Sequence, residues 1–166
     1  MFEDPYKSTG TDKTAEAAAR LAQLPTLEDT ETRLGAAIEE LGSYVSSLVS
    51  GLTWQWTRER STAECDPPFD RTRGSMVYLR NYVSHPAIPE DVWPRVLDRA
   101  RRLAAGLGAT GSEVFADEPG NHTVRFYSTE STELSIGTRG AVIGGVTGCR
   151  LPAAEAAAST PTTRHR

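Results

Sequence analysis

Few side chains in this sequence could carry out acid-base or nucleophilic chemistry. Of three histidines, His165 lies near the C-terminus, His85 stands beside Ser84, and His122 follows a Gly-Asn turn shortly after Asp117. Serine, histidine and carboxylate are the groups of a hydrolytic triad, so a small extracellular hydrolase that uses His85 or His122 is one interpretation. No GxSxG turn or oxyanion-hole motif accompanies them, and histidines exposed in turns are the simpler explanation.

The two cysteines, Cys65 and Cys149, are far apart, and neither lies in a CxxC motif or at ligand spacing from a histidine. A disulfide between them would stabilise the fold by about 4 to 5 kcal/mol in the chain-entropy model and would form in an oxidising compartment. The alternative is two unrelated buried thiols in a cytosolic protein. No metal is expected. No cofactor is expected either, because the glycine-rich run at 140–145 lacks the lysine and the helix of a phosphate-binding loop.

The composition is that of one ordinary globular domain. The 166 residues are 38% hydrophobic and 24% charged, which is enough for a single core. The net charge of -4 is spread over 18 basic and 22 acidic residues without a block of one sign, so nucleic acid and anionic membrane surfaces are not expected partners. No stretch approaches the roughly 20 apolar residues that cross a bilayer.

Two stretches show the three- and four-residue spacing of apolar side chains that is typical of amphipathic helices. The first helix is predicted to span about 27–50, and the second to begin near Glu90 and end near Gly106. The polar face of the second helix carries a row of arginines, which are Arg95, Arg99 and Arg102. This row is a candidate surface for an anionic group, although a solvated helix face is the simpler explanation.

Six segments have the alternation or the β-branched and aromatic content of strands, and they are 52–57, 75–83, 112–117, 122–128, 132–138 and 141–149. The first two segments carry four aromatic side chains, namely Trp54, Trp56, Tyr78 and Tyr82. Most aromatic rings should lie in the core. Any that remain on the outer face of the sheet would form the best candidate surface for a ligand or partner.

These elements predict an α+β fold. We expect a two-layer sandwich, in which an antiparallel sheet of about five strands carries two helices packed on one face, in the order α-β-β-α-β-β-β. The domain should occupy residues 26–152. Residues 1–25 are predicted to form a flexible tether, and residues 153–166 a disordered tail. In this topology Cys149 can lie beside the loop that carries Cys65, which permits the disulfide.

Several short sequences are shared with a known family. They are LTWQW at 52–56, a cysteine about ten residues later, GLGAT at 106–110 and TGCRLP at 147–152. Together they resemble the LppA-like lipoproteins of mycobacteria and their actinobacterial relatives, over roughly residues 34–152. The resemblance implies a signal peptide and an acylated lipobox cysteine, which tethers the mature protein to the outer face of the cytoplasmic membrane.

No charged region, apolar segment or lipobox precedes Met1. We therefore expect a mature sequence that begins after the acylated cysteine; the alternative is a chain that is not exported. The resemblance implies no catalytic activity. The sequence thus predicts a non-enzymatic, extracytoplasmic binding or scaffold domain of a cell-envelope lipoprotein. Its partner would be an envelope component or protein that binds the sheet face away from the helices. The domain itself would contact the membrane only through the lipid anchor.

Overall fold

The computed structural model describes residues 9–159, and side-chain surroundings for residues 9–157. The helices in this part are α1 (Thr11–Ala22), α2 (Leu27–Leu48), α3 (Trp93–Gly106), which follows a 3-10 turn (Glu90–Val92), and α4 (Ala153–Ser159). The strands are β1 (Gln55–Thr57), β2 (Ser61–Ala63), β3 (Met76–Tyr78), β4 (Asn81–Val83), β5 (Gly111–Glu118), β6 (Asn121–Tyr127), β7 (Glu133–Gly137) and β8 (Val142–Val146). Within residues 9–159, no helix has both the length and the apolar character that spanning a membrane requires.

Helix α2 forms where the apolar periodicity predicts it. The side chain of Thr26 caps its N-terminus by accepting a hydrogen bond from the backbone N–H of Asp29 at 3.2 Å. One face of the helix is completely buried, including Leu34, Ile38 and Leu41. The helix ends where Val49 turns to an extended backbone, close to the predicted end at residue 50.

One antiparallel sheet contains all the strands, in the order β1-β4-β8-β7-β6-β5, with β3 also on β8 and β2 on β3. The strand predicted at 75–83 is interrupted at residues 79–80 and forms β3 and β4, whereas the strand predicted at 52–57 forms β1 alone. Strand β2 lies between the first two predicted strands, where none was predicted, so the sheet has eight strands where about five were expected. The α+β class and the antiparallel sheet are confirmed.

The main core lies between the sheet and the two long helices. Helix α2 contributes Leu34 and Ile38, helix α3 contributes Val96 and Ala100, and the sheet contributes a set of alternate residues. The sheet members are Val124, Phe126, Leu134, Ile136 and Ile143. Their alternation means that both helices cover the same face, as predicted.

Helix α1 lies in the segment for which the sequence predicts a flexible tether. Its residues Ala17 and Leu21 are buried in a second cluster with Cys65, Phe69, Met76, Cys149 and Leu151. The hydroxyl of Thr9 also donates to the carboxylate of Asp70. Residues 9–25 therefore differ from a free tether because Leu21 has an apolar surface to cover, whereas residues 1–8 lie outside the described residues.

Helix α4 occupies the start of the segment predicted as a disordered tail. Arg73 Nη1 donates to Glu155 at 3.2 Å, and the backbone N–H of Ala153 donates to Glu28 at 2.8 Å. Residues 160–166, which include His165, lie outside the described residues. The domain limits at 26 and 152 stay a prediction.

Candidate functional site

The predicted disulfide is present. Cys65, which follows β2, is bonded to Cys149, which follows β8, with a Cα–Cα distance of 5.5 Å. Both residues are buried and pack beneath Leu21 of helix α1 and Leu151. The bond therefore joins the loop after β2 to the segment after β8 within the second cluster.

A buried polar network adjoins the disulfide. The guanidinium of Arg150, which is 3% exposed, donates to the carbonyl of Cys149 at 2.8 Å and to the hydroxyl of Thr132 at 2.7 Å. Glu130 is 4% exposed and accepts a hydrogen bond from Arg20 Nε at 2.7 Å. The network thus connects helix α1 to the residues before β7 and after β8.

Burial has opposite consequences for the two buried charges of this network. Burial lowers the pKa of Arg150 because it disfavours the cation, and only the charge of Glu130 partly offsets this. Burial would raise the pKa of Glu130, but the hydrogen bond and charge of Arg20 leave that pKa below its usual value. The network therefore holds helix α1 against the disulfide cluster through charged groups, and it requires that Glu130 is ionised.

His122 is the buried histidine of the described chain and lies on the helix-facing side of β6. Its ring stacks on the indole of Trp93, with centroids 4.9 Å apart and planes 10° from parallel. Nδ1 lies 3.0 Å from Asp117 Oδ1, and Nε2 lies 2.8 Å from Glu90 Oε2. Sequence reasoning noticed Asp117 but missed Glu90, which is 32 residues away.

The two carboxylates occupy both ring nitrogens of His122. Glu90 also accepts the backbone N–H of Gly120 at 2.9 Å, and this bond, together with that of His122, lowers the pKa of Glu90. A catalytic base needs a nitrogen within reach of a nucleophile or water, and here neither is available. His85, in contrast, is exposed. The His122 arrangement therefore joins the 3-10 turn to the β5–β6 hairpin, and no set of three His, Cys, Asp or Glu residues within 9–159 is suited to a metal ion.

Three of the four predicted contact aromatics lie beneath helix α2. Trp54 stacks on Tyr82 at 5.1 Å, and Trp56 contacts the same ring at 4.5 Å. The indole N–H of Trp54 donates to Ser46 Oγ at 2.9 Å. A Cβ on Gly42 would lie 2.7 Å from the ring of Tyr82, so the ring fills the space that glycine leaves. Burial raises the pKa of Tyr82.

The fourth aromatic, Tyr78, faces away from the helices. It pairs in register with Val146 of β8 and is 43% exposed. The four residues predicted together as one surface are therefore divided between the two faces of the sheet. Their role as a contact surface stays a prediction.

The arginine row lies on the less buried side of α3 and consists of Arg95, Arg99 and Arg102. Arg99 reaches α2, where its guanidinium lies 3.5 Å from Glu40 and 4.3 Å from the centre of the Tyr44 ring. Arg102 pairs with Asp98 of its own helix at 2.7 Å. Two of the three arginines are thus already engaged within the fold.

The sheet face away from α2 and α3 has a distinct centre. Arg125 of β6 donates to Glu133 of β7 at 2.7 Å and to Glu113 of β5 at 2.6 Å. Its guanidinium also lies 5.7 Å from the ring of Phe115 and 5.2 Å from that of Tyr127. We call these five residues the Arg125 platform.

The two rings of the Arg125 platform are 60% and 38% exposed, for Phe115 and Tyr127 respectively. The sequence selected neither residue as a contact, although it indicated that any aromatic ring on the outer face of the sheet would be the best candidate. The alternation of β6, in which Val124 and Phe126 face the helices, is the signal that could have placed Arg125 and Tyr127 outside. A β-bulge in β5 shifts Phe115 out of the regular alternation of the strand, and no sequence pattern predicts this bulge.

Comparison with known proteins gives one family and one clear structural likeness. The family model LppA, described as "Lipoprotein confined to pathogenic Mycobacterium", matches residues 2–153. The crystal structure of the lipoprotein LppA from Mycobacterium tuberculosis is similar with a TM-score of 0.70 and 16% identity, over 93% of this chain and 94% of that one.

A DUF4853 family protein from Actinomyces odontolyticus is more distant, with a TM-score of 0.44 and 11% identity over 92% of this chain and 73% of that one. No curated protein matches the chain. None of these descriptions names an enzyme. Because the family model spans almost the whole chain, this protein belongs to the LppA family of lipoproteins.

Proposed function

We propose that the chain is the extracytoplasmic, non-enzymatic binding domain of a membrane-anchored envelope lipoprotein, and that its Arg125 platform contacts a protein partner. Membership of a lipoprotein family supports the envelope address. The Cys65–Cys149 bond supports an oxidising compartment, because cytosolic thiols are kept reduced.

The uncovered aromatic rings of the Arg125 platform carry this proposal. Phe115 and Tyr127 flank one guanidinium, which Glu113 and Glu133 hold from two sides. Aromatic and arginine side chains dominate the binding energy of protein interfaces. Side chains that are already fixed lose little conformational entropy on association, so this platform is prepared for a contact.

The charges of the platform favour a protein over a nucleic acid. Glu113 and Glu133 stand on either side of Arg125, so the three charges sum to one negative charge. Phosphate groups would be repelled by the two carboxylates, which already bind both terminal nitrogens of the guanidinium. An apolar protein surface with a polar rim fits this arrangement.

The geometry of His122 supports the non-enzymatic part of the proposal. Its two ring nitrogens are held by Glu90 and Asp117, and its ring is covered by Trp93. A hydrolase would need one of these nitrogens free for proton transfer. The buried histidine therefore serves to position the β5–β6 hairpin.

Neighbouring residues of β5 provide a matched test of the contact surface. Val114 and Phe115 are 61% and 60% exposed but lie on opposite sides of the strand. A photo-crosslinking amino acid is placed at each position in turn, in the full lipidated protein in its native host. We expect a discrete protein adduct from position 115 and none from position 114.

Substitution of Tyr127 by alanine should abolish the adduct from position 115 while leaving the abundance of the protein unchanged. Equal adducts from both positions, or an adduct from position 114 alone, would contradict the proposed surface. Absence of an adduct from position 115 at normal protein levels would contradict a stable protein partner there.

A further inference from the structure

A cavity lies on the helix side of the sheet, at the two strand interruptions. Its volume is about 230 Å³, and it is lined by Glu31, Gly35, Trp56, Arg60, Leu79 and Arg80. Residues 58–60 separate β1 from β2, and residues 79–80 separate β3 from β4. The cavity therefore exists because two paired strands are interrupted side by side, next to α2.

The floor of this cavity is apolar and partly empty. It is formed by the indole of Trp56, the side chain of Leu79 and the bare backbone of Gly35. A Cβ added to Gly35 would have Leu79 Cδ2 as its one neighbour within 4 Å, at 3.9 Å. Covering this water-exposed apolar surface with an apolar group is favourable, because it removes the surface from water.

The rim of the cavity carries one fixed cation without an acidic partner. Arg80 donates from Nε to the carbonyl of Arg58 at 2.8 Å and from Nη2 to the carbonyl of Trp56 at 3.1 Å. Among residues 9–157, no carboxylate forms an ion pair with Arg80. Arg60, on the same rim, is instead neutralised by the carboxylate of Glu31.

We propose that this cavity binds a small amphipathic carboxylate, with its apolar part on Trp56 and Leu79 and its carboxylate on Arg80. At roughly 30 Å³ for each water-sized group, the volume corresponds to about eight such groups, which suits one short alkyl chain. Guanidinium groups bind carboxylates through charge-assisted hydrogen bonds, and Arg80 is already oriented by two backbone carbonyls. The inference is independent of the proposed function, because the cavity and the Arg125 platform lie on opposite sides of the sheet.

Three eight-carbon probes and acetate test the charge and the apolar part separately. Octanoate, 1-octanol, octylamine and acetate are titrated into the intact protein and followed by NMR at the Trp56 indole and the Leu79 methyl groups. For a ligand of this size we expect octanoate to bind with Kd on the order of 1 mM. Octanol should bind about tenfold more weakly, and octylamine and acetate should give no saturable shift.

Substitutions in the rim should change this selectivity in both directions. Arg80→Gln should weaken octanoate about tenfold and leave octanol unchanged, because only the charged contact is lost. Glu31→Gln should strengthen octanoate about threefold, because it frees Arg60 to act as a second cation. A role of Arg80 in folding alone would not produce that gain.

Filling the cavity gives the steric test. Gly35→Leu should abolish octanoate binding, whereas Gly106→Leu, at another helical glycine with open space around it, should leave binding unchanged. Equal binding of octylamine and octanoate, or unchanged binding in Gly35→Leu, would overturn the proposal. If Arg80→Gln does not fold, the probe series on the wild-type protein and Gly35→Leu still decide the question.

Discussion

Arg20 Nε lies 2.7 Å from Glu130 Oε1, and this ion pair joins helix α1 to a residue 110 positions later in the chain. Glu130 is almost fully buried, whereas Arg20 is half exposed. The carboxylate also counters the charge of Arg150, which is buried nearby. One acidic side chain thus holds the N-terminal helix over the disulfide cluster.

Glu130→Gln should therefore destabilise the protein. The substitution leaves two guanidinium groups, of Arg20 and Arg150, without their common counter-charge. We expect a loss of about 1 to 3 kcal/mol in the free energy of unfolding. This is less than the loss of a fully buried ion pair would cost, because Arg20 is half exposed. Thermal or urea denaturation measures it, and Glu16→Gln, at an exposed position of α1, is the control with a loss below about 0.5 kcal/mol. Equal stability of the two variants would contradict the role of Glu130.

The same carboxylate predicts a pH dependence of stability. Because the pKa of Glu130 is lower in the folded protein than in the unfolded chain, the unfolded chain binds more protons over the interval between the two pKa values. Its contribution is complete above the unfolded pKa of about 4.3 and is lost as the pH falls through the folded pKa. The pKa of Glu90 is lowered as well and acts in the same direction.

Urea unfolding midpoints measured from pH 6 to pH 3 should therefore fall on acidification in the wild-type protein. The decline should be shallower in Glu130→Gln, which has no proton to take up at that position. Parallel curves for the two proteins would show that Glu130 does not titrate differently in the folded state.

Two glycines of α2 should respond to alanine with opposite signs. Gly42 faces Tyr82, where a Cβ would lie 2.7 Å from the ring, so Gly42→Ala should cost about 1 to 3 kcal/mol through overpacking. Gly35 faces open space up to Leu79 at 3.9 Å, so Gly35→Ala should stabilise the helix by about 0.5 to 1 kcal/mol. Melting temperatures of both variants check this, and a gain in Gly42→Ala would contradict the close contact with Tyr82.

Reduction of the disulfide should have a larger effect than any of these substitutions. The Cys65–Cys149 bond spans 84 positions of the sequence, and in the chain-entropy model its loss costs about 4 to 5 kcal/mol. The melting temperature with and without a reductant measures the loss. The double substitution Cys65→Ala with Cys149→Ala should reproduce it, and an unchanged melting temperature would show that the bond does not constrain the fold.

The two histidines of the described chain form a further matched pair. His122→Gln removes the stacking on Trp93 and one of the two carboxylate contacts, so we expect a loss of about 1 to 2 kcal/mol in the free energy of unfolding. His85→Gln, at an exposed position, should change the stability by less than about 0.5 kcal/mol. The adduct from position 115 should be retained in both variants, which distinguishes a structural histidine from one that acts on a ligand.

Local patterns were sufficient to predict the architecture. The apolar spacing of Leu34, Ile38 and Leu41 predicted α2, and the alternation in the later strands predicted the meander that carries Val124 and Ile136. The topology in turn permitted the disulfide. These features depend on periods of about 3.6 and 2 residues, which a single sequence displays directly.

Long-range partners could not be predicted in the same way. Glu90 reaches His122 over 32 positions and Arg20 reaches Glu130 over 110, and no spacing rule connects such pairs. The sequence also did not decide on which face of the sheet Trp56 lies. Alternation shows that Trp56 and Gln55 point to opposite faces, but it does not show which face a helix covers. The interruption at residues 79–80, beside the cavity at Arg80, depends on backbone geometry that no residue pattern marks, whereas the end of the first strand at residue 57 was predicted.

An envelope lipoprotein domain must fold outside the cytosol, and the thiol state of the protein in its native host tests this directly. Cells are quenched in acid, the protein is denatured without reductant, and free thiols are tagged with a maleimide polymer that shifts the mass. We predict no tagged thiol before reduction and tagging of both Cys65 and Cys149 after it. Two tagged thiols before reduction would contradict an oxidised, extracytoplasmic domain.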